Sequence, residues 1–326
     1  MQENTKGVNI KSLFSKYGIL FMLLVLILIM TILIPGFISI SNITGILTQS
    51  SIYGIMALGV TFIIISGGID LSAGSMVALV ATVSAIVGQA DSARKILSSV
   101  PELGLWAPLL TAIIVGALAG GINGFLIAKL NLLPFIATLG TYTIARGIAL
   151  VIAQGQAISG LTASFAAVGG NIGIVPIPVL IFVICIIICS VLLNRTKFGC
   201  NTYSIGGNAS AARITGINIQ RNIIMIYAFA GIMYGIAAFV FAGRVQSVNA
   251  GAAKNYEMTA ISASIIGGTS PSGGKGTIWG VVVGTMIITV IRYGLTLLGV
   301  DAYWQQIAEG AIIVIAVILA VRKKKA

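Results

Sequence analysis

The run Ser66-Gly67-Gly68-Ile69-Asp70-Leu71-Ser72-Ala73-Gly74-Ser75 lies between two charge-free apolar stretches, Ile43 to Ile65 and Met76 to Val87, each of helical length. Two adjacent glycines loosen a helix and permit close backbone approach. An ionisable aspartate beside hydrocarbon is costly unless it faces protein or water. A helix that stops at Gly67-Gly68 and restarts after Asp70 gives the next helix an N-cap, with Ser72 or Asp70 accepting from its first amides. Between membrane helices, a break that carries polar groups is a common design for a transport pathway. The competing reading is a tight hairpin at the membrane surface, with Asp70 merely solvated.

The composition around this run makes the chain an integral membrane protein. Of 326 residues, 58% are apolar and only 8% charged, and mean hydropathy is +1.08; soluble domains carry about 25% charged residues. The apolar runs are long and lack the roughly ten-residue alternation of an outer-membrane barrel, so the fold class is all-α. A net charge of +12 invites a nucleic-acid partner, but the distribution argues against one. Lys6, Lys11 and Lys16, then Arg195, Lys197, Arg213 and Arg221, then Arg322 through Lys325, all flank apolar spans. That is the positive-inside pattern of a membrane protein. The chain has no histidine, which excludes histidine metal sites and the usual catalytic triads. Cys185 and Cys189, four apart in an apolar run, read as small core residues, and with Cys200 they suggest no disulfide framework. Gly18 to Ile34 is too long for a signal-peptide core and no small-x-small cleavage site follows, so it reads as a retained first span.

At about twenty apolar residues per crossing, ten spans are expected: 19–34, 43–65, 73–87, 106–128, 134–153, 178–193, 223–242, 256–266, 278–298 and 304–321. The stretch 256–266 is too short to cross hydrocarbon unaided and reads as a half-helix packed inside protein. Counting it puts the tail 1–17, the loop 194–222 and the basic tail 322–326 all on the cytoplasmic side of a transmembrane domain spanning 18–321. Asp91 to Leu105 and Gly155 to Ile177 then face outward as surface loops, with a short helix possible on the membrane. In the inward loop, Gly206-Gly207-Asn208 reads as a turn and an N-cap, Ala209 to Ile214 as a short helix, and Gly216 as its stop. Such a helix serves either as a docking element or as a connector. An internal echo aligns Gly67-Gly68…Ser72 with Gly267-Gly268…Ser272, as in transporters built from repeats with matching helix breaks.

Chemistry of other kinds is absent. Gly274-Lys275 tempts a phosphate-loop reading, but Thr269 stands where a Walker A motif needs glycine and Gly276 where it needs Ser or Thr, so the chain does not bind ATP itself. The seven acids are scattered, and no pair suggests general acid–base work. Arg292 and Glu309 lie within late spans, where intramembrane charges are often functional or else pair with each other or snorkel to the interface; the structural reading is favoured for them and for Arg146.

Three motifs occur in series: Gly67-Gly68-Ile69-Asp70-Leu71-Ser72 with Gly74-Ser75; Gly206-Gly207-Asn208 with Ala211-Ala212-Arg213 and Gly216-Ile217; and Gly267-Gly268-Thr269-Ser270 with Gly273-Gly274-Lys275-Gly276. Together they closely resemble the membrane permease subunit of ribose-type monosaccharide ABC importers, from about residue 15 to the C-terminus. The resemblance implies a bacterial inner-membrane protein that works as a pair of permease chains, homo- or heterodimeric. A separate cytoplasmic ABC ATPase and an extracytoplasmic sugar-binding protein complete the set, with a small sugar as cargo and no cofactor. It favours the docking reading for Gly206, Gly207, Asn208, Arg213 and Gly216, which match the region that contacts the ATPase. The translocation pathway and its helix breaks are then expected at Gly67, Gly68, Asp70 and Ser72, with Gly267, Gly268 and Ser272; within this set Asp70 is expected to act as a helix cap. Arg292 and Glu309 depart from the ribose pattern, which leaves the substrate open among a pentose, a hexose, a sugar-like signal and a nucleoside. The alternative function is a self-sufficient secondary transporter coupled to protons through Asp70, Glu257 or Glu309.

Overall fold

The computed structural model describes residues 10–90, 95–96 and 101–325. Part of the expected tail 1–17, part of the loop Asp91–Leu105, and Ala326 lie outside the described residues. The described residues form thirteen α-helices: α1 (Ile10–Leu33), α2 (Ile40–Ile65), α3 (Ala73–Val87), α4 (Trp106–Lys129), α5 (Pro134–Ile152), α6 (Ala163–Ala166), α7 (Ile177–Arg195), α8 (Lys197–Gly207), α9 (Ala209–Ile214), α10 (Ile219–Val245), α11 (Tyr256–Ile266), α12 (Ile278–Leu297) and α13 (Ala302–Lys325). A helix occupies each of the ten expected segments. Among the described residues, six helices (α2, α4, α5, α7, α10 and α12) are long and apolar enough to cross a membrane, and Gly18–Leu33 and α3 are shorter apolar helices.

α2 is the axis of the bundle. From Ser50 to Ile65 every residue is buried, wrapped by α7, α10, α11 and α12. α10 packs most extensively on α4, where Gly116 and Gly120 sit against the backbone of Gly231 and Tyr227. Small residues at such a crossing let two backbones approach where no hydrophobic drive exists between helices in lipid. α1 lies to one side, its Leu23 and Met30 packed on Ile287 and Val290 of α12 through a separate apolar cluster.

The segment 155–177, expected as a surface loop, is more than one. β1 (Ile158–Ser159) pairs antiparallel with β4 (Ser247–Val248), just past the end of α10. Thr162 caps α6, and Phe165 is fully buried with its ring stacked 4.8 Å from that of Phe239 on α10. The short helix is there as expected, but it turns an aromatic residue into the bundle and so closes over the ends of α3 and α10. β2 (Asn171–Ile172) and β3 (Val175–Pro176) form a small hairpin leading into α7.

The half-helix reading of 256–266 holds. α11 has eleven residues, about 16 Å at 1.5 Å each, against a hydrocarbon core of about 30 Å. It is buried from Thr259 to Ile265. The irregular segment 246–255 and α11 together carry the chain from the β1–β4 end to the end where α8 lies. Arg292 and Glu309 pair with each other, at 3.4 Å, instead of snorkelling. Thr259 joins them, its hydroxyl receiving from Arg292 at 2.7 Å and donating to Glu309 at 2.5 Å. The triad ties α13 to α11 and α12. Arg292→Met would leave Glu309 buried without its cation, and a loss of about 3 kcal/mol is expected, read as a lower melting temperature in detergent; Arg292→Met with Glu309→Gln together should recover most of it.

Candidate functional site

The opening run forms a break inside the protein, and its chemistry begins with a helix end. α2 stops in a paired cap: Gly67 N–H donates to Ile64 and Gly68 N–H to Ile63, both at 2.9 Å. Gly67 takes φ +84°, a left-handed conformation that glycine adopts without strain. The chain then turns inward, not toward solvent. Asp70 is 1% exposed and Ser72 fully buried, so the hairpin with a solvated Asp70 is ruled out.

A continuous polar network surrounds this carboxylate. Asp70 Oδ1 accepts from the Ser72 N–H at 2.8 Å and from the Ser72 hydroxyl at 2.5 Å, while Oδ2 accepts from the Tyr234 hydroxyl of α10 at 3.0 Å. Ser72 Oγ accepts from Asn123 Nδ2 of α4 at 2.9 Å, and Asn123 Oδ1 accepts from Thr141 of α5 at 2.7 Å. Tyr227 of α10 donates to the Ile69 carbonyl at 3.0 Å, and Thr138 of α5 accepts from the Leu71 N–H at 3.2 Å. Three helices, α4, α5 and α10, therefore read the one break. The expected cap needs correction: Ser72 precedes α3 with no side-chain bond to its first turn. Asp70 instead closes the turn two residues before the helix, because its second oxygen is drawn to Tyr234. Tyr227, Tyr234, Asn123 and Thr141 had no sequence signal beyond being polar in apolar runs.

The second glycine pair ends α11 with the same cap, but at Gly268 (φ +89°) and Thr269, one residue out of register with the first. Gly216 and Gly299 end helices in the same way, so the echo is one of helix-cap chemistry. Past the cap the two segments diverge. Ser72 is buried, whereas Ser272 is exposed in a turn with its Oγ 3.2 Å from that of Ser270.

That turn carries the junction with the loop 194–222. Gly274 N–H donates to the Ile65 carbonyl at the end of α2 at 2.8 Å, and Tyr203 of α8 donates to the Gly276 carbonyl at 2.7 Å. Partial burial raises the Tyr203 phenol above its usual pKa, which keeps it a proton donor. Gly206 sits between them: a side chain there would fall on the Ile65 carbonyl oxygen and 2.7 Å from Gly274 N. Gly206, Gly207, Gly273 and Gly274 thus bring α2, α8 and the α11–α12 turn into backbone contact with Gly67 at the margin, while Gly268 faces the Ile19 side chain instead. Beyond it, α9 forms as expected, with Asn208 Oδ1 accepting from the Ala211 N–H at 3.0 Å and Gly216 closing the helix. Arg213 is exposed, and so is Ile214, at 87%. The sequence pattern had drawn attention to Arg213 and not to Ile214 beside it.

Among the described residues no group of His, Cys, Asp and Glu is arranged to hold a metal ion. Residues 42–317 match the family described as branched-chain amino acid transport system / permease component. The chain is 42% identical over 311 residues to the galactose/methyl galactoside import permease protein of Escherichia coli K12, covering 93% of each chain. It is 40% identical over 334 residues to the ribose import permease protein of Bacillus subtilis 168, covering all of this chain and 98% of that one. It is 36% identical over 308 residues to the ribose import permease protein of Escherichia coli K12, covering 93% and 92%. No solved structure matches the chain.

Proposed function

The chain belongs to the family of transport-system permease components matched over residues 42–317, and we propose that it is the membrane permease subunit of an ATP-driven importer of a monosaccharide. Near-complete coverage of relatives named as galactose and ribose import permeases carries this reading. It is a multi-pass protein of a bacterial cytoplasmic membrane. It is not an enzyme; the ATPase is a separate protein. Two permease chains enclose one route, ten passes place both termini and the loop 194–222 in the cytoplasm, and an extracytoplasmic binding protein delivers the sugar.

Within this reading α9 is the docking element. It is short, capped at both ends and exposed on Arg213 and Ile214. In the ATPase it would meet a groove with an apolar floor and an acidic rim, Arg213 making a charge-assisted bond. The test is ATP-dependent uptake of ribose and galactose into vesicles holding the permease, its ATPase and the loaded binding protein. Uptake that persists with a hydrolysis-dead ATPase and collapses with a protonophore would establish the proton-coupled alternative instead. Arg213→Glu is expected to lower co-purification of the ATPase about tenfold, the loss of one charged contact plus repulsion, with the helical content unchanged. Native mass spectrometry of the complex should give two permease chains, identical or related; one would refute the pairing.

A further inference from the structure

The segment Asn249–Asn255 is irregular backbone within the membrane part of the protein. Its depth follows from two helices. Thr259, one turn into α11, meets Arg292, the fifteenth of twenty residues of α12. The carbonyls of Ala250 and Ala252 accept, at 2.8 and 2.7 Å, from Arg146, the thirteenth of nineteen residues of α5. Both place the segment below the helix ends on the β1–β4 side. Non-helical backbone at such depth is tolerated only where it is buried in protein or lines water.

One side of the segment is buried: Ala250, Ala253 and Glu257 are 2%, 4% and 5% exposed. The other side is open and polar. Asn249, Gly251 and Lys254 are exposed and Asn255 partly so, with Asn255 Nδ2 3.4 Å from Gln306 Oε1 of α13. A lysine facing lipid at this depth is expensive. On α5, from which Arg146 reaches this segment, Gly140, Thr143 and Gly147 are spaced for one helical face. All three are exposed, and nothing lies within 4 Å of the position a side chain would take at either glycine.

We propose that this surface, Lys254, Asn255 and Asn249 set above Gly140, Thr143 and Gly147, is one wall of the water-filled sugar route. It takes a neutral polyhydroxy ligand. Lys254 donates to sugar oxygens, the two asparagines donate and accept, and the glycines leave the width a sugar ring needs. The inference rests on the permease reading and moves the ligand-facing residues away from the buried Asp70 network. The second permease chain supplies the facing wall.

Cysteine accessibility tests it in the assembled importer, in a background with Cys185, Cys189 and Cys200 replaced by serine. Uptake by that background checks the permease reading separately. Thr143→Cys and Lys254→Cys are expected to be labelled fully by a charged, membrane-impermeant methanethiosulfonate. Ile184→Cys, exposed on the apolar α7, should react only with a lipid-soluble maleimide. If both test positions behave like Ile184→Cys, or if Lys254→Cys alone reacts because the lysine merely snorkels, the wall assignment is overturned. In the native background Lys254→Met should lower sugar uptake about tenfold, as for one lost charged hydrogen bond, with complex assembly intact; unchanged uptake would refute the contact.

Discussion

Asp70→Ala is expected to destabilise the protein by about 4 kcal/mol, because it strands three buried donors at once, each costing about 1–3 kcal/mol when unpaired. These are the Ser72 N–H, the Ser72 hydroxyl and the Tyr234 hydroxyl. The loss runs along the network, since Ser72 also accepts from Asn123 and Asn123 from Thr141. Asp70→Asn should cost only about 1 kcal/mol. The amide oxygen keeps both Ser72 bonds, and the amide nitrogen faces a Tyr234 hydroxyl that turns to accept. Thermal unfolding in detergent, with sugar uptake at matched expression, reads both. Near-normal uptake for Asp70→Asn and near-abolition for Asp70→Ala is the expected pair. Equal, severe loss in both would show that the negative charge itself is needed.

The second large effect is expected at the glycine junction. Gly206→Val places its side chain on the Ile65 carbonyl oxygen and against Gly274 N, so the bond between those two groups must open. α9 lies outside that contact, and ATPase assembly is expected to persist. Coupling between sites in allosteric proteins is worth about 1–3 kcal/mol, or 5- to 150-fold. Gly206→Val should therefore lower the stimulation of ATP hydrolysis by loaded binding protein by about tenfold or more within that range, with uptake falling alongside. Tyr203→Phe removes only the bond to Gly276 and should give a milder loss in the same direction. Full stimulation in both variants would show that the junction is inert packing.

Much of this was legible in the residues. Apolar runs without charge can do little but form membrane helices, so composition alone determined the class, and a helix occupies every expected span, although α1 begins nine residues before the expected start at 19. The caps were legible for the same local reason: Asn208, Gly216 and Gly67 act on neighbours a few residues away. The brevity of 256–266 determined that α11 cannot cross alone.

Tertiary structure decided everything that depends on who faces whom. Asp70 followed by Ser72 has the same sequence whether it caps a helix, meets solvent or joins a network; Tyr234, 164 residues away, decides among them by drawing the second oxygen inward. The glycine echo looked like a repeat because helix caps reuse glycine wherever φ turns positive, and only the burial of Ser72 against the exposure of Ser272 separated the two turns. Lys254 is a lysine in a polar loop until Arg146 and Thr259 fix its depth. Local chemistry is written in neighbours along the chain, whereas burial and depth belong to contacts between residues far apart, which an apolar sequence rich in glycine leaves undetermined.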